Sequence, residues 1–249
     1  MLLLLPPSET KRDGGSGAPV ALDSLAFPEL RERRLVLLDA LRELAGDEAA
    51  TARALKLGPT QLGEVARNRR VAESPTMPVL DRFTGVLFDA LDATSLDERA
   101  RAFAHRHVLV QSALFCPVAA LDELPAYRLS HDSRVPGLPL KRHWAAAVGE
   151  RLAERPGLIV DLRSEGYAAL GPLPSRDDVV YLRVLSEGEN GVRRALNHFN
   201  KQSKGRFTRA VLEHGADFAS TGELIDWATG AGWRLERRPE APGELALVV

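Results

Sequence analysis

Residues 157–162 read Gly-Leu-Ile-Val-Asp-Leu, an apolar run too short for a helix. A strand that is apolar at successive positions needs both faces covered, so it belongs inside a sheet with helices packed on it. The chain supplies companions for such a strand. Leu2 to Leu5 read as a second short buried strand, ended by Pro6-Pro7. "HVLVQSALF" (107–115), "DVVYLRVLS" (178–186), "WRLERR" (233–238) and "GELALVV" (243–249) read as further strands. Between them, Leu30, Leu35, Leu38, Leu41 and Leu44 recur at helical spacing across 27–57, with a break at Gly46, which predicts two helices. A third starts after Gly58-Pro59, with proline in its first turn. "RFTGVLFDALD" (82–92) and "SLDERARAFAHR" (95–106) predict two more, the second with Ser95 as N-cap and Glu98 completing a capping box. Helices are also expected over 140–154, 201–214 and 221–231, while "VRRALNHF" (192–199), after the "EGENG" turn (187–191), fits either a strand or the opening of the next helix. The economical assembly is a single α/β or α+β domain over 1–249, a mixed sheet flanked by helices, with a helical region at about 27–106 packed on it.

Charge narrows the function. Thirty-three basic residues face thirty-four acidic ones, so the chain does not coat nucleic acid by bulk charge, and an anionic partner has to be met by a local patch. Only five lysines occur, at 11, 56, 141, 201 and 204, and two of them fall in "NHFNKQSKGRFTR" (197–209) beside Arg206 and Arg209, with no acid. On a helical wheel, Phe207, Ala210, Val211 and His214 share one face, Lys201 and Arg209 point to solvent, and Lys204 lies at the border. A helix N-terminus carrying lysines can hold a phosphate or a nucleic-acid backbone.

Other signals exclude more than they assign. No G-x-G-x-x-G follows the first strand and no G-x-x-x-x-G-K-[ST] occurs, which removes the standard dinucleotide and P-loop readings. His105 and His107 form an H-x-H pair without a third ligand at helpful spacing, so no metal site and no cofactor are expected. Cys116 is the single cysteine, is read as a small buried hydrophobe, and fits a reducing compartment. The start lacks signal-peptide character, and no apolar run approaches the ~18 residues of a membrane span. A cytoplasmic protein without a membrane partner is expected, with a monomer favoured.

Three polar segments share one context, each directly after an expected strand: "PPSETK" after Leu5, "RSEGY" after Leu162 and "NKQSKGR" after Phe199. Ligands of open α/β sheets lie outside the carboxyl ends of strands, where such loops converge. The expectation is that these three surround one anionic guest.

Five segments stand in order along the chain: "LPPSETK" at the N-terminus, "FTGVLFDALD" (83–92), "SALF" with "LPAYRLS" across 112–130, "VDLRSEGYAAL" (160–170) and "HFNKQSKGR" (198–206). Together they give a resemblance to the YaaA family of bacterial peroxide-stress-response proteins. It implies a compact single-domain α/β fold, DNA binding through a positively charged cleft, a helix-hairpin-helix-like element in the N-terminal helical region, and a role in limiting iron-associated oxidative damage. The motif positions carried over are Ser8, Thr10, Lys11, Thr84, Gly85, Tyr127, Arg128, Ser130, Asp161, Arg163, Ser164, Tyr167, Asn200, Lys201, Lys204, Gly205 and Arg206. For the hairpin element the sequence offers Gly58, then Arg67, Arg69 and Arg70, although Pro59 lacks an N–H and a second hairpin glycine is absent. Cys116 stands where relatives commonly carry glycine.

Two functions follow as expectations. In the first, DNA or another phosphate-bearing ligand is bound by Ser8, Thr10, Lys11, Thr84, Tyr127, Arg128, Ser130, Arg163, Ser164, Asn200, Lys201, Lys204 and Arg206. In the second, an enzyme acts on a nucleotide-like anion, with Ser8, Tyr127 and Lys204 supplying acid–base chemistry and Arg128 and Arg163 clamping the substrate.

Overall fold

The computed structural model describes residues 1–187, 193–195 and 199–249. The chain opens with β1 (Leu2–Leu5) and enters a helical region of α1 (Arg31–Leu44), α2 (Glu48–Leu55) and α3 (Gly63–Arg69). The short β2 (Met77–Pro78) leads to α4 (Val79–Arg82), α5 (Val86–Leu91) and α6 (Glu98–His107). Then come β3 (Val108–Val110), β4 (Val118–Ala119), β5 (Glu123–Leu124), α7 (Leu140–Ala153), β6 (Ile159–Asp161) and α8 (Glu165–Ala168). The chain ends with β7 (Val179–Glu187), β8 (Arg193–Ala195), α9 (Phe199–His214), α10 (Thr221–Gly230), β9 (Arg234–Arg237) and β10 (Glu244–Val248).

The result is a mixed α/β fold. The main sheet runs in the order β4-β3-β1-β6-β7-β10-β9, with β8 also paired to β7. β3, β1, β6, β7 and β10 are mutually parallel, while β4, β8 and β9 run antiparallel to their neighbours. β2 and β5 pair separately. Leu2 to Leu5 and Leu158 to Val160 are all buried, as expected of strands covered on both faces. The chain leaves β1 for β3 on one side and later returns to β6 on the other, so strand order reverses between β1 and β6. At such a reversal the loops beyond the two carboxyl ends diverge and leave a crevice.

Local chemistry moved several boundaries. The N-cap of α6 is Asp97, whose carboxylate accepts from the Ala100 N–H at 2.7 Å. Ser95 is one turn too early and donates instead to Asp92. The strand expected over 107–115 ends at Val110, because Ser112 Oγ accepts from the N–H groups of Leu114 and Phe115 and turns the chain. His105 and His107 therefore sit at the end of α6, where residues two apart point to different sides, and His107 Nδ1 pairs with the Met1 carbonyl. Within "VRRALNHF", Arg193–Ala195 pairs with β7 and Phe199 begins α9. The rest of that segment, and the "EGENG" turn beyond Glu187, lie outside the described residues.

The buried side of α9 is wider than the wheel predicted. Lys204, Gly205, Phe207, Thr208, Val211 and Leu212 are all buried. His214 is exposed, and Arg209 is only half-exposed because it bonds the Leu91 and Asp92 carbonyls and pairs with Glu213. Gly205 sets how closely α9 approaches α5, since a Cβ there would stand 2.2 Å from the Leu87 carbonyl oxygen. Alanine in a helix is normally favoured over glycine by about 1 kcal/mol. Here Gly205→Ala is expected to lower stability by about 1–3 kcal/mol through overpacking, as read from the urea-unfolding midpoint. A stabilised variant would show that the two helices can separate without loss.

Candidate functional site

Beyond β1 the chain turns through Pro6-Pro7-Ser8-Glu9-Thr10-Lys11, and this turn is held from inside. Lys11 is buried and donates from Nζ to the carbonyls of Ser8 (2.8 Å) and Glu9 (3.3 Å). The same ammonium stands 4.2 Å from the centre of the Tyr127 ring and 5.1 Å from that of Phe83, a double cation–π contact. Burial pulls its pKa down to about 7, opposed by the Glu9 carboxylate and reinforced by Arg128. A trans peptide places C=O and N–H on opposite edges, so turning both carbonyls onto Lys11 turns the N–H groups of Glu9 and Thr10 outward. The Thr10 N–H meets Ser8 Oγ at 3.3 Å, and the Glu9 N–H has no acceptor among the described residues.

Three hydroxyls gather beside those N–H groups. Ser8 Oγ and Thr84 Oγ1 each lie 3.1 Å from Thr10 Oγ1. Gly85, at φ 95°, closes the cluster, and a Cβ there would lie 3.2 Å from Ser8 Oγ. Successive outward N–H groups with hydroxyls alongside form a concavity suited to an anion's oxygens.

The turn beyond β6 is held in a parallel way. Lys204, reaching in from α9, donates to the Leu162 carbonyl at 2.9 Å, and the Tyr181 hydroxyl donates to the Arg163 carbonyl at 2.8 Å. Burial lowers the Lys204 pKa to about 8, partly offset by Asp161. Arg163 is fully buried, with Nε and Nη2 on the two Asp161 carboxylate oxygens at 2.8 Å and Nη1 on Gln111 Oε1 and the Gly171 carbonyl. The Ser164 N–H, turned away by the Tyr181 bond, has no acceptor among the described residues. The β1 and β6 turns meet where the Tyr167 hydroxyl donates to Glu9 at 3.4 Å.

The structure sorts the sequence candidates. Ser8, Thr10 and Thr84 touch one another, and Lys11 and Tyr127 pack directly beneath. Arg163 is not a clamp for a guest, because its guanidinium is sealed from solvent and directed to Asp161, Gln111 and Gly171 in anchoring the β6 turn. Ser8, Tyr127 and Lys204 form no mutual hydrogen bonds. The Tyr127 hydroxyl is buried against Ser112 at 2.6 Å, and burial pushes its pKa up. Arg128 is half-buried, its backbone held on both sides by the Asn68 side chain. Ser130 bonds Asp132, the partner of Lys56, and makes no bond to the Ser8 turn. Ser164, Lys201 and Arg206 are exposed, and Asn200 is half-buried with Oδ1 enclosed and without a partner among the described residues. His198 lies outside the described residues.

The hairpin element takes a different form from its expected one. Gly58 is extended (φ −77°) and its N–H is capped by Gln61 Oε1, so it does not face outward. Arg67 pairs with Glu64 and Asp13, Arg69 holds the Ala45 carbonyl, and Arg70 is exposed. Cys116 is not at positive φ. It is buried, accepts from Gln111 Nε2 at 2.6 Å, and its thiol is pushed up to about 12 by burial. Glu9, Ser112 and Tyr181 were absent from the sequence candidates for binding. Glu9 was legible, lying between two of them, whereas Ser112 and Tyr181 act through contacts that spacing does not reveal.

No helix among the described residues is long and apolar enough to cross a membrane. A family model described as "Peroxide stress protein YaaA" matches residues 1–238. A UPF0246 protein of Corynebacterium glutamicum is 38% identical over 254 residues, covering 100% of both chains. One from Streptomyces coelicolor is 40% identical, covering 98% of this chain and 95% of its own. A more distant one from Bordetella pertussis is 26% identical over 86% of each. With β1, the Gly85 turn, the β6 turn and all of α9 inside the matched span, the chain belongs to the peroxide stress protein YaaA family.

Proposed function

We propose that this family member binds phosphate at the carboxyl ends of β1 and β6, as part of a DNA backbone or of a nucleotide-like molecule. The observation that carries the reading is the Lys11 clasp. By taking the Ser8 and Glu9 carbonyls inward, it presents the Glu9 and Thr10 N–H groups outward beside three hydroxyls. Lys11 and Lys204 supply positive charge from beneath the two turns rather than direct contacts, while exposed Lys201 and Arg206 are available to a longer anion. Binding is favoured over catalysis, because among the described residues no side-chain base lies within hydrogen-bond reach of Ser8.

Titration calorimetry with inorganic pyrophosphate tests this reading. Replacing Ser8 by alanine together with Thr10 by valine is expected to weaken binding about tenfold, the order expected for lost hydrogen bonds to a charged group. Duplex DNA, followed by fluorescence anisotropy, is expected to compete with pyrophosphate and to show a salt slope that falls by about one per neutralised contact in Lys201→Gln and Arg206→Gln. Pyrophosphate binding that ignores the hydroxyl replacements would end the proposal.

A further inference from the structure

Glu9 is the acid in the middle of this turn. Ser8 and Thr10 put their hydroxyls on one side, toward Thr84, and Glu9 reaches the other way, over the β1–β6 crevice to Tyr167. Glu9 as a residue is half-buried. The Tyr167 hydroxyl reaches one oxygen at 3.4 Å, and the other has no hydrogen bond among the described residues. A carboxylate beside an anion site repels a bare phosphate, but it accepts hydrogen bonds from a sugar's hydroxyls. This pairing of a phosphate-holding turn with an acid for ribose is the division of labour at nucleotide sites of open α/β sheets.

A ring lies next in line. The His131 imidazole packs edge-on to Tyr167, with centroids 4.8 Å apart, and rests on Gly166, where a Cβ would fall 2.4 Å from imidazole Cε1. Glycine at 166 lets that ring lie against the backbone of α8. His131 remains partly exposed, so it offers a surface on which a planar base can stack.

We infer that the ligand of this site is a ribonucleoside phosphate. Its phosphate sits on the Glu9 and Thr10 N–H groups and the Ser8, Thr10 and Thr84 hydroxyls, its sugar hydroxyls donate to Glu9, and its base lies on His131. The inference rests on the phosphate reading above and adds to it the sugar and the base.

Calorimetry on the full chain near neutral pH, with inorganic phosphate, ribose 5-phosphate and adenosine 5′-monophosphate as probes, separates the parts. Adenosine monophosphate is expected to bind at least about tenfold more tightly than phosphate, with ribose 5-phosphate between them. Glu9→Gln is expected to weaken the two sugar-bearing probes about tenfold while leaving phosphate unchanged or tighter, since a repelling charge is lost. His131→Ala is expected to weaken adenosine monophosphate alone, by about fivefold or more. Equal affinity for all three probes, or Glu9→Gln strengthening all three alike, would overturn the nucleotide assignment and leave the phosphate site standing. A short DNA duplex displacing adenosine monophosphate, with Glu9→Gln tightening the duplex and the nucleotide together, would overturn it in favour of the polymer. Absence of binding by any probe would sink both readings.

Discussion

Arg163→Met is expected to lower the unfolding free energy by about 3–5 kcal/mol, the range for breaking a buried ion pair by removing one partner. Arg163 is fully buried and holds both oxygens of Asp161, which is itself buried at the end of β6. Removing the guanidinium leaves a carboxylate without its counter-charge, together with Gln111 Oε1 and the Gly171 carbonyl deprived of a donor. Domains are stable by only about 5–15 kcal/mol, so the variant stands near the edge of folding. Urea unfolding measures the loss. The double variant Asp161→Asn with Arg163→Met is expected to recover part of it, because a neutral amide is less costly to bury than a lone carboxylate. A single-variant loss below about 1 kcal/mol would show that water reaches the pair and that it does not anchor the turn.

Stability is expected to climb with pH from about 7 and to turn over between about pH 9 and 10. Lys11 and Lys204 lose their protons near 7 and 8 in the folded chain, against 10.5 when exposed. Across that interval the unfolded chain binds more protons, so unfolding becomes harder as pH rises, by up to about 1.4 kcal/mol per pH unit for each lysine. Acids with raised pKa act in the opposite sense. Cys116, Tyr127, Tyr167 and Tyr181 keep their protons in the folded chain where the unfolded chain has begun to lose them, from about pH 9 for the thiol and 10 for the phenols. Their burial therefore lowers stability at higher pH. Guanidinium melts from pH 6 to about 11 check the profile. Lys11→Met is expected to flatten the climb from about pH 7 onward and to bring the turnover to lower pH, since the opposing Lys11 contribution up to 10.5 is lost. A wild-type profile flat from pH 7 to 9 would mean that both ammonium groups reach solvent.

The proposed phosphate site and the expected pH profile share one cause. Both lysines are expensive to bury, and both hold carbonyls of turns that follow adjacent parallel strands. Substituting either lysine is expected to act through the position of its turn, which differs from removing an exposed cation such as Lys201.

Much of this was already written into the chain. Short apolar runs such as Leu2 to Leu5 and 157–162 require cover on both faces, which decides for a sheet with helices packed on it. The polar turns that end these runs were visible as turns, because a proline pair or a run of charged and small residues cannot continue a buried strand. The partners of the buried charges were not visible. Helical periodicity put Lys204 at the border of α9, but only the approach of α9 to α5 at Gly205 and the position of β6 send its ammonium to the Leu162 carbonyl. Arg163 looked like an exposed clamp in "RSEGY" and became an internal anchor, since Asp161, Gln111 and Gly171 surround it from separate parts of the chain. Residue type and local spacing dictated where strands, helices and turns form, because those depend on short-range sterics and hydrophobic patterning. Which cations face solvent and which are sealed beneath the turns was decided by packing between distant segments, because the cost of burying a charge depends on what the whole fold brings against it.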